Sequence, residues 1–447
     1  MSTLNLKGLT AATADCLTAA KSTENGPPDL HAVRAILAAL APVRDTLPPA
    51  YRKAFYDPLV ASVNSLAAGD FAWLKKHPDQ TPFWDAVQAV LQNAAGYEAN
   101  ATDAFQEVVG DLYDGFLSAE DRASVKLPDR EVIPPLVKWG NPDDGPYTWP
   151  VDSMRGLDIA VGIVNLPPAQ ARRGLLAWAT LGHETGGHDI LGADIGLLAE
   201  VATVTHAALL KAGQPEWMAS YWSDRIDETA SDVLGLLNMG PAAGIGMIGY
   251  FRGLLGAWEG KTRLHSDGPA DDPHPADVVR GYLAAATVRL LGFSQNKAWA
   301  NAIEAEADKD VTSIKLAGHA VSVTSAKQAA AIVGQAIAQT KLKALEKHTL
   351  QSIQDWKDAD EDIVAKLRLR LVLGKTSVPA RIAEATFATH VVAAAVTAAV
   401  LAEATPTVLF ASMIGMLKRM HDDNPSWGPL FVGHRGDNRK HVIAIRR

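Results

Sequence analysis

Apolar residues recur at helical spacing along almost the whole chain, and this periodicity constrains the fold more than any other feature. Positions i, i+3 and i+4 are apolar in one segment after another, and alanine and leucine dominate them, which is typical of amphipathic helices. Proline, glycine and asparagine separate the segments, as expected where helices end. The sequence therefore predicts a mainly helical protein. The predicted helices cover residues 29–45, 50–68, 82–95, 98–116, 169–191, 195–212, 216–239, 277–292, 295–308, 325–347, 351–373 and 378–420.

A passage rich in proline and glycine, residues 127–152, interrupts this helical rhythm. The segment GLDIAVGIVNLPP at 156–168 is rich in β-branched residues and is the best strand candidate in the chain. Shorter strands are expected at 311–323, as a hairpin, and at 441–445. These breaks divide the chain into three predicted regions. They are an N-terminal helical region at 1–126, a middle region with a small β-sheet at 127–292 and a C-terminal helical region at 293–447.

The composition narrows the classes of partner and the cellular compartment. The net charge is −8 and no block of lysine or arginine occurs, so nucleic acid and anionic membrane surfaces are poor candidate partners. Cys16 is the single cysteine, which excludes an intramolecular disulfide and a thiolate zinc cluster. The first residues lack the pattern of a secretory signal, and the alanine-rich stretch 385–402 predicts a buried helix, not a membrane span. We expect a cytoplasmic protein, and its oligomeric state stays open.

The hexapeptide HETGGH at 183–188 is nearly the H-E-x-x-H signature of zinc hydrolases, with one extra residue between the histidines. Histidines at i and i+4 share a helix face, whereas a histidine at i+5 points about 100° away. His183 and His188 can therefore bind one metal ion only if the helix contains a π-type bulge. Gly186 and Gly187 would tolerate such a distortion. Glycine destabilises a regular helix, so two glycines together indicate that the backbone adopts an irregular conformation there. The alternative is a glycine-broken helix with two solvated histidines.

A second polar element follows about forty residues downstream, in RIDETASDVLGLL. Glu228 and Asp232 stand four residues apart, so they share one helix face. Glu228 would supply a third metal ligand, and Asp232 could hold a ligating histidine by its other ring nitrogen. An ordinary solvated acidic face is the alternative. The segment that follows is strongly apolar, however, and buried carboxylates without a cation are costly, so the pattern favours the metal.

These two elements resemble the motifs of a known family of zinc exopeptidases. The hexapeptide is similar to the H-E-x-x-G-H signature of dipeptidyl peptidase III, and DETASD at 227–232 is similar to its E-E-x-x-A-D/E motif. Glu228 falls on the ligand position and Asp232 on the closing acid. Asp227 and Ser231 replace a glutamate and an alanine of the family pattern. More broadly, H-E-x-x-H followed by E-x-x-x-D is the pattern of glutamate-ligand zincins.

A third element lies in DDPHPADVVR at 271–280, which resembles the H-P-x-x-x-x-R element of the membrane-associated zinc endopeptidases that process prenylated proteins. Carried over, His274 would approach the substrate carbonyl or its oxyanion, and Arg280 would brace the site. Tyr250 and Tyr282 are reserve donors. The resemblance covers residues 180–280, and the interval between hexapeptide and glutamate is shorter than in dipeptidyl peptidase III. We therefore infer a shared catalytic design and not membership of the family.

The resemblance implies a zinc-dependent metallopeptidase, with a mononuclear zinc site in a zincin-like core that helical domains surround. Its substrate would be a peptide or another small molecule. Its implied residues are the ligands His183, His188 and Glu228, the general base Glu184, the donor His274, and the supporting pair Asp232 and Arg280. The strand at 156–168 would then be either an edge strand that pairs with an extended substrate or a plain core strand. Trp139, Trp149 and Trp258 could line a cleft. The alternatives are a hydrolase of non-peptide substrates, a site for iron or another ion, and a helical scaffold with a relict metal site.

Overall fold

The computed structural model confirms that the protein is mainly helical and contains small mixed sheets. It describes residues 4–26, 30, 32–77, 81–117, 122, 125–130 and 133–423. The strand predicted at 441–445 lies outside the described residues. The boundaries of the three predicted regions stay a prediction.

The N-terminal helices match the predicted segments, with two additions at 9–20 and 68–76. They are α1 (Leu9–Ala20), α2 (Val33–Leu40), α3 (Pro49–Tyr51), α4 (Asp57–Ser65), α5 (Ala68–Lys76), α6 (Pro82–Ala94) and α7 (Ala99–Leu117), with a 3-10 turn at Ala41–Thr46 and a π-helical turn at Arg52–Tyr56. Sequence analysis did not predict α1, because its alanines and threonines give little contrast between an apolar and a polar face.

The passage at 127–152 contains two strands that the sequence did not indicate. They are β1 (Ile133–Trp139) and β2 (Tyr147–Trp149), which flank β3 (Val161–Leu166) in the order β1-β3-β2. Pro134 and Pro135 lie where the register of β1 on β3 shifts, because proline cannot donate a ladder hydrogen bond. β1 runs parallel and β2 antiparallel to β3.

The predicted strand at 156–168 corresponds to β3, which is the central strand and is buried at every position. Its interpretation as a substrate-binding edge strand is therefore wrong, because neighbours occupy both of its hydrogen-bonding edges. Within the described residues, β2 pairs only with β3 and forms the edge of the sheet. β2 also contacts the segment that carries HETGGH.

The middle of the chain departs most from regular helix. Its helices are α8 (Val151–Met154), α9 (Leu181–His183), α10 (Leu197–Lys211), α11 (Glu216–Ser223), α12 (Ile226–Met239), α13 (Pro241–Trp258) and α14 (Asp277–Val288). The long helix predicted at 169–191 is wrong, because Gly174 has a φ of +79° and breaks the chain there. Short 3-10 turns, α9 and a π-helix succeed one another instead. They span Pro168–Ala171, Leu175–Thr180, Leu181–His183, Glu184–Asp189 and Ile190–Ala193.

The C-terminal third is helical and includes the predicted hairpin. The helices are α15 (Asn296–Asp308), α16 (Val323–Gln339), α17 (Leu350–Ile353), α18 (Asp358–Val372), α19 (Ala388–Val400) and α20 (Pro406–Asp423), with β4 (Asp267–Gly268), β5 (Ile314–Leu316) and β6 (His319–Val321) in a second sheet. Every residue of α19 is buried, which confirms the buried helix. No single described helix is both long enough and apolar enough to cross a membrane. One pair of consecutive segments, Leu175–Ala193 and Leu197–Lys211, has the required length and composition only when taken together, and the two are bent by 104° relative to each other.

Two apolar clusters hold these elements together. The larger one extends from α1 to α20 and encloses α12, whose residues from Thr229 to Met239 are all buried. The smaller one packs the N-terminal helices α2 to α6 against the first sheet. α13, which sequence analysis did not predict because of its many glycines, packs its glycine face closely on α1. Tertiary packing overrides a weak helix propensity here.

The contact between α1 and α13 can be tested with the single cysteine. A Cβ on Gly253 would lie 2.8 Å from the Cβ of Cys16, so Gly253→Ala is expected to destabilise the fold by about 1–3 kcal/mol. Burial raises the pKa of the Cys16 thiol to about 12, which makes it unreactive while the helices stay packed. Thiol labelling should be slow in the wild type and faster in Gly253→Ala, which should also unfold at a lower temperature.

Gly69→Ala is the matched control, because nothing lies within 4 Å of a Cβ at that helical position. Alanine is the better helix former, so the unfolding temperature should stay unchanged or rise, and labelling of Cys16 should stay slow. Equal labelling rates in Gly253→Ala and the wild type would contradict the packing described for α1.

Candidate metal centre

A π-helical segment brings the two histidines of HETGGH together. His183 ends α9, and the chain continues as a π-helix over Glu184–Asp189. The extra residue turns His188 back toward His183, so that their Nε2 atoms lie 3.0 Å apart. The two rings meet edge to face, with centroids 4.7 Å apart. The predicted π-type bulge is confirmed, and the alternative of two separate histidines on a broken helix is wrong.

The two glycines of the hexapeptide have different surroundings. Neither Gly186 nor Gly187 has a positive φ, so the backbone conformation alone does not demand glycine. A Cβ on Gly187 would lie 2.2 Å from the Cβ of Ser231 on α12, whereas a Cβ on Gly186 would meet its nearest neighbour, Asn238 Nδ2, at 3.4 Å. The expectation that both glycines are needed for the backbone distortion is therefore wrong. Gly187 is required because the π-helix and α12 approach each other closely.

α12 supplies the third group of the centre. The carboxylate of Glu228 lies between the histidines, with Oε2 3.4 Å from His183 Nε2 and Oε1 3.5 Å from His188 Nε2. Ligand atoms of these three residues all lie within 4.8 Å of one another, and no other group in the described part of the chain does so. Glu228 Oε2 is buried and has no hydrogen-bond partner among the described residues. The three predicted ligand residues therefore form a group that could hold a metal ion.

Asp232 and Arg280 support this group from behind. Asp232 Oδ1 lies 2.8 Å from His183 Nδ1, and Arg280 donates to both oxygens of Asp232 from Nε and Nη2, at 2.8 and 2.7 Å. When His183 is neutral, as a metal ligand must be, an ionised Asp232 favours the tautomer with the proton on Nδ1, so that the lone pair of Nε2 faces the centre. The sequence analysis expected both residues beside the site, and the structure brings them there.

Asp227 makes a similar contact that sequence analysis did not assign. Its Oδ1 lies 3.1 Å from His188 Nδ1, on the side of the ring away from the centre. Each histidine therefore has a carboxylate at its Nδ1 atom, an arrangement that orients ligating imidazoles. The available signal was its position directly before Glu228 at the start of α12.

The charges around the centre favour a cation there. Burial lowers the pKa of His183, but the hydrogen bond with Asp232 and the contact with Glu228 outweigh it and raise that pKa from 6.5 to about 10. Burial raises the pKa values of Glu228 and Asp232, but His183 and Arg280 hold both below their ordinary values. The carboxylates therefore stay ionised and stabilise positive charge between the imidazoles.

Glu184 lies beside the ligand group and is held by the edge strand. The residue is buried, at 7% exposure, and Thr148 on β2 donates a hydrogen bond from Oγ1 to Glu184 Oε2 at 2.9 Å. Sequence analysis missed Thr148, because a single threonine in a proline- and glycine-rich passage carries no motif. The tertiary fold alone brings it to Glu184.

His274 reaches the centre from the loop before α14. Its Nε2 lies 3.4 Å from Glu228 Oε1, and its Nδ1 lies 3.1 Å from Asp272 Oδ1. The side chain is 55% exposed, so it stands at the solvent side of the ligand group. Its predicted role as a donor to the substrate stays a prediction. Of the reserve donors, Tyr250 borders the same cavity, whereas Tyr282 donates to Asp308 and lies outside the lining.

The centre lies in the wall of a cavity of about 640 Å³, a size suited to a small ligand or a short peptide. One wall carries the ligand group, Glu184 and β2. The opposite wall is apolar and is formed by one face of α13, with Met247, Phe251, Leu254 and Trp258 at helical spacing. Trp258 lines the cavity as expected. Trp139 and Trp149 do not belong to the lining, since Trp139 is buried and Trp149 donates to Asp85.

Comparison of the chain with protein-family models, curated proteins and solved structures found no match. The case for a metal centre therefore depends on the motif residues and on the geometry in which the fold places them.

The close contact between the π-helix and α12 at Gly187 can be tested by substitution. Gly187→Ala places a methyl group inside the contact with Ser231, so it is expected to displace the π-helix, abolish metal binding and cost about 1–3 kcal/mol. Gly186→Ala is the matched control, because its Cβ meets only an ordinary contact with Asn238. Metal per chain, measured by elemental analysis, and the unfolding temperature should fall in Gly187→Ala alone. Full metal content in Gly187→Ala would contradict the close crossing.

Proposed function

We propose that this protein is a zinc-dependent hydrolase of peptide bonds, with His183, His188 and Glu228 as zinc ligands. The observation that carries the proposal is the convergence of two imidazole nitrogens and one carboxylate, with Glu184 directly after the first histidine. Three protein ligands leave one coordination position open, which is characteristic of catalytic zinc sites.

The residues fit a tetrahedral zinc ion. Zinc bonds of about 2.0–2.1 Å imply about 3.3 Å between neighbouring ligand atoms. The two Nε2 atoms are 3.0 Å apart, and each lies close to a different oxygen of Glu228, at 3.4 Å from Oε2 for His183 and at 3.5 Å from Oε1 for His188. The buried Glu228 Oε2 lacks a hydrogen-bond partner among the described residues, so a cation would satisfy an atom that is otherwise costly to bury. Nitrogen and carboxylate ligands without thiolates also suit zinc.

Glu184 serves as the general base. When bound, zinc supplies Lewis acidity, which polarises a carbonyl and makes water nucleophilic near neutral pH. Thr148 holds Glu184 Oε2, and the carboxylate accepts a proton as the water oxygen attacks the carbonyl carbon. Glu184 then gives this proton to the departing amine as the C–N bond breaks.

The remaining side chains position the reacting groups. Asp232, fixed by Arg280, keeps the proton of His183 on Nδ1, and Asp227 does the same for His188. His274 stands exposed beside Glu228 and donates a hydrogen bond to the carbonyl oxygen as negative charge develops. The edge strand β2 borders the cavity, where its backbone can pair with an extended peptide.

Glu228→Ala tests the metal site. The wild type is expected to contain about one zinc per chain and the variant almost none, because structural and catalytic zinc sites need all their protein ligands. Elemental analysis of both proteins, purified side by side, provides the measurement. Asp362→Asn, an exposed change on α18 outside the cavity, should keep the wild-type zinc content. Absence of metal from the wild type would contradict the proposal.

Glu184→Gln tests the chemistry separately from the metal. The amide cannot accept a proton, so hydrolysis of a mixed peptide library should fall by about 10²–10⁴-fold. Zinc content should stay at the wild-type value, because Glu184 is not a ligand. Chromatography of the products gives the rate, and elemental analysis gives the occupancy. A Glu184→Gln variant that cleaves peptides at the wild-type rate would overturn the assignment of the base.

A further inference from the structure

The cavity that contains the centre is strongly acidic. Among the described residues that line it, nine are aspartate or glutamate, four are histidine and one, Arg280, is arginine. The whole chain, by contrast, has 50 acidic and 42 basic residues, so the excess is local to this cavity. Arg280 is paired with Asp232, and one divalent ion offsets only two of the remaining charges. The interior potential is therefore negative with the metal bound.

A second metal ion does not account for these carboxylates. In the described part of the chain, no second group of three or more histidine, cysteine, aspartate or glutamate residues has ligand atoms within 4.8 Å of one another. The acids are instead distributed from the centre to the surface. Glu184 and Glu228 lie deep, whereas the carboxylates of Asp272 and Glu259 are nearly half exposed. Each of these outer carboxylates also contacts one imidazole, since Asp272 lies 3.1 Å from His274 Nδ1 and Glu259 lies 2.9 Å from His265 Nε2. A potential distributed in this way attracts a mobile or extended cation.

The mouth of the cavity, defined by Asp144, Trp258, Glu259 and Asp267, combines these acids with an exposed aromatic ring. Trp258 is 51% exposed although it is large and apolar, and the turn at Asp144 lies against it, since a Cβ on Gly145 would be 3.9 Å from its Cη2 atom. An indole face beside carboxylates is a favourable environment for an ammonium or guanidinium group.

The wall between the mouth and the centre is the apolar face of α13. Phe251 and Leu254 belong to this face, whereas Tyr250 is 2% exposed and its hydroxyl lies beside Gln170. A peptide that runs along α13 from the mouth to the centre would therefore bury an apolar side chain against Phe251 and Leu254.

We infer that the cavity selects short peptides with a cationic group, either a lysine or arginine side chain or a free N-terminal ammonium, which binds at the mouth next to an apolar residue on α13. This inference rests on the proposed function for its substrate class. Both kinds of peptide present a cation to the mouth. Acetylation of the N-terminus distinguishes a cationic side chain from the N-terminal ammonium.

The test uses tetrapeptides that contain one phenylalanine and in which each other position is in turn lysine, norleucine or glutamate, with the N-terminus free or acetylated. If a side chain is the bound cation, the zinc-loaded wild type should hydrolyse acetylated lysine peptides with a kcat/KM at least about tenfold above that of acetylated norleucine peptides. If the N-terminal ammonium is the bound cation, acetylation of the norleucine peptides should itself lower kcat/KM at least about tenfold. Either result supports the inference. It is overturned if acetylation has no effect and glutamate peptides are hydrolysed as well as lysine peptides or better.

Variants at the mouth locate the cation. Glu259→Gln and Trp258→Leu should each reduce the preference for cationic peptides about threefold to tenfold, mainly through KM. Asp362→Asn and Trp73→Leu are matched controls: Asp362 is exposed and Trp73 is 53% exposed, and both lie outside the cavity. An unchanged preference in both mouth variants would overturn the inference.

Binding measurements separate this inference from the proposed function. Titration calorimetry with the same peptides reports affinity whether or not they are cleaved. Tighter binding of cationic peptides without hydrolysis would contradict the peptidase and support the cationic site. Hydrolysis without any charge preference would support the peptidase and contradict the cationic site. If no cationic peptide binds, the inference is overturned.

Discussion

The site depends on one steric constraint, the close crossing of the π-helix and α12 at Gly187 and Ser231. A Cβ on Gly187 would lie 2.2 Å from that of Ser231, so the two backbones approach as closely as glycine allows. Gly182 and Gly235 form a second contact of the same kind, where a Cβ would lie 3.1 Å from the opposite Cα. The histidines on one element therefore face the carboxylates on the other at ligand spacing, a geometry that larger side chains would separate.

The crossing buries the carboxylates of Glu228 and Asp232 on α12, and this burial explains why Arg280 lies behind them. α12 runs through the larger apolar cluster, where an unpaired carboxylate would be costly. Asp232 is stabilised there by two hydrogen bonds from Arg280. Glu228 Oε2 has no hydrogen-bond partner among the described residues, but it lies 3.6 Å from Arg280 Nη2 and 3.4 Å from His183 Nε2. A cation at the centre would further offset the energetic cost of burying this carboxylate.

The cavity combines segments that are remote in the chain. β2 brings Thr148 to Glu184, the loop before α14 brings His274 to Glu228, and α13 forms the apolar wall. α13 is held in turn by α1, whose Cys16 packs on the glycine face. The lining of the cavity therefore depends on packing between segments far apart in the chain, and its acidic mouth is a property of the assembled surface.

From the sequence alone one could predict the helical character, the three residues of the candidate metal site and their neighbours Asp232 and Arg280, because helical periodicity and motif spacing are local properties. The sequence also required the π-type bulge, since five-residue spacing leaves no other way for the two histidines to converge. It did not determine that β3 is central, that Gly187 is a packing residue, or that Thr148 meets Glu184. These depend on which elements become neighbours, and the tertiary structure alone decided them, because no local pattern encodes contacts between segments far apart in the chain.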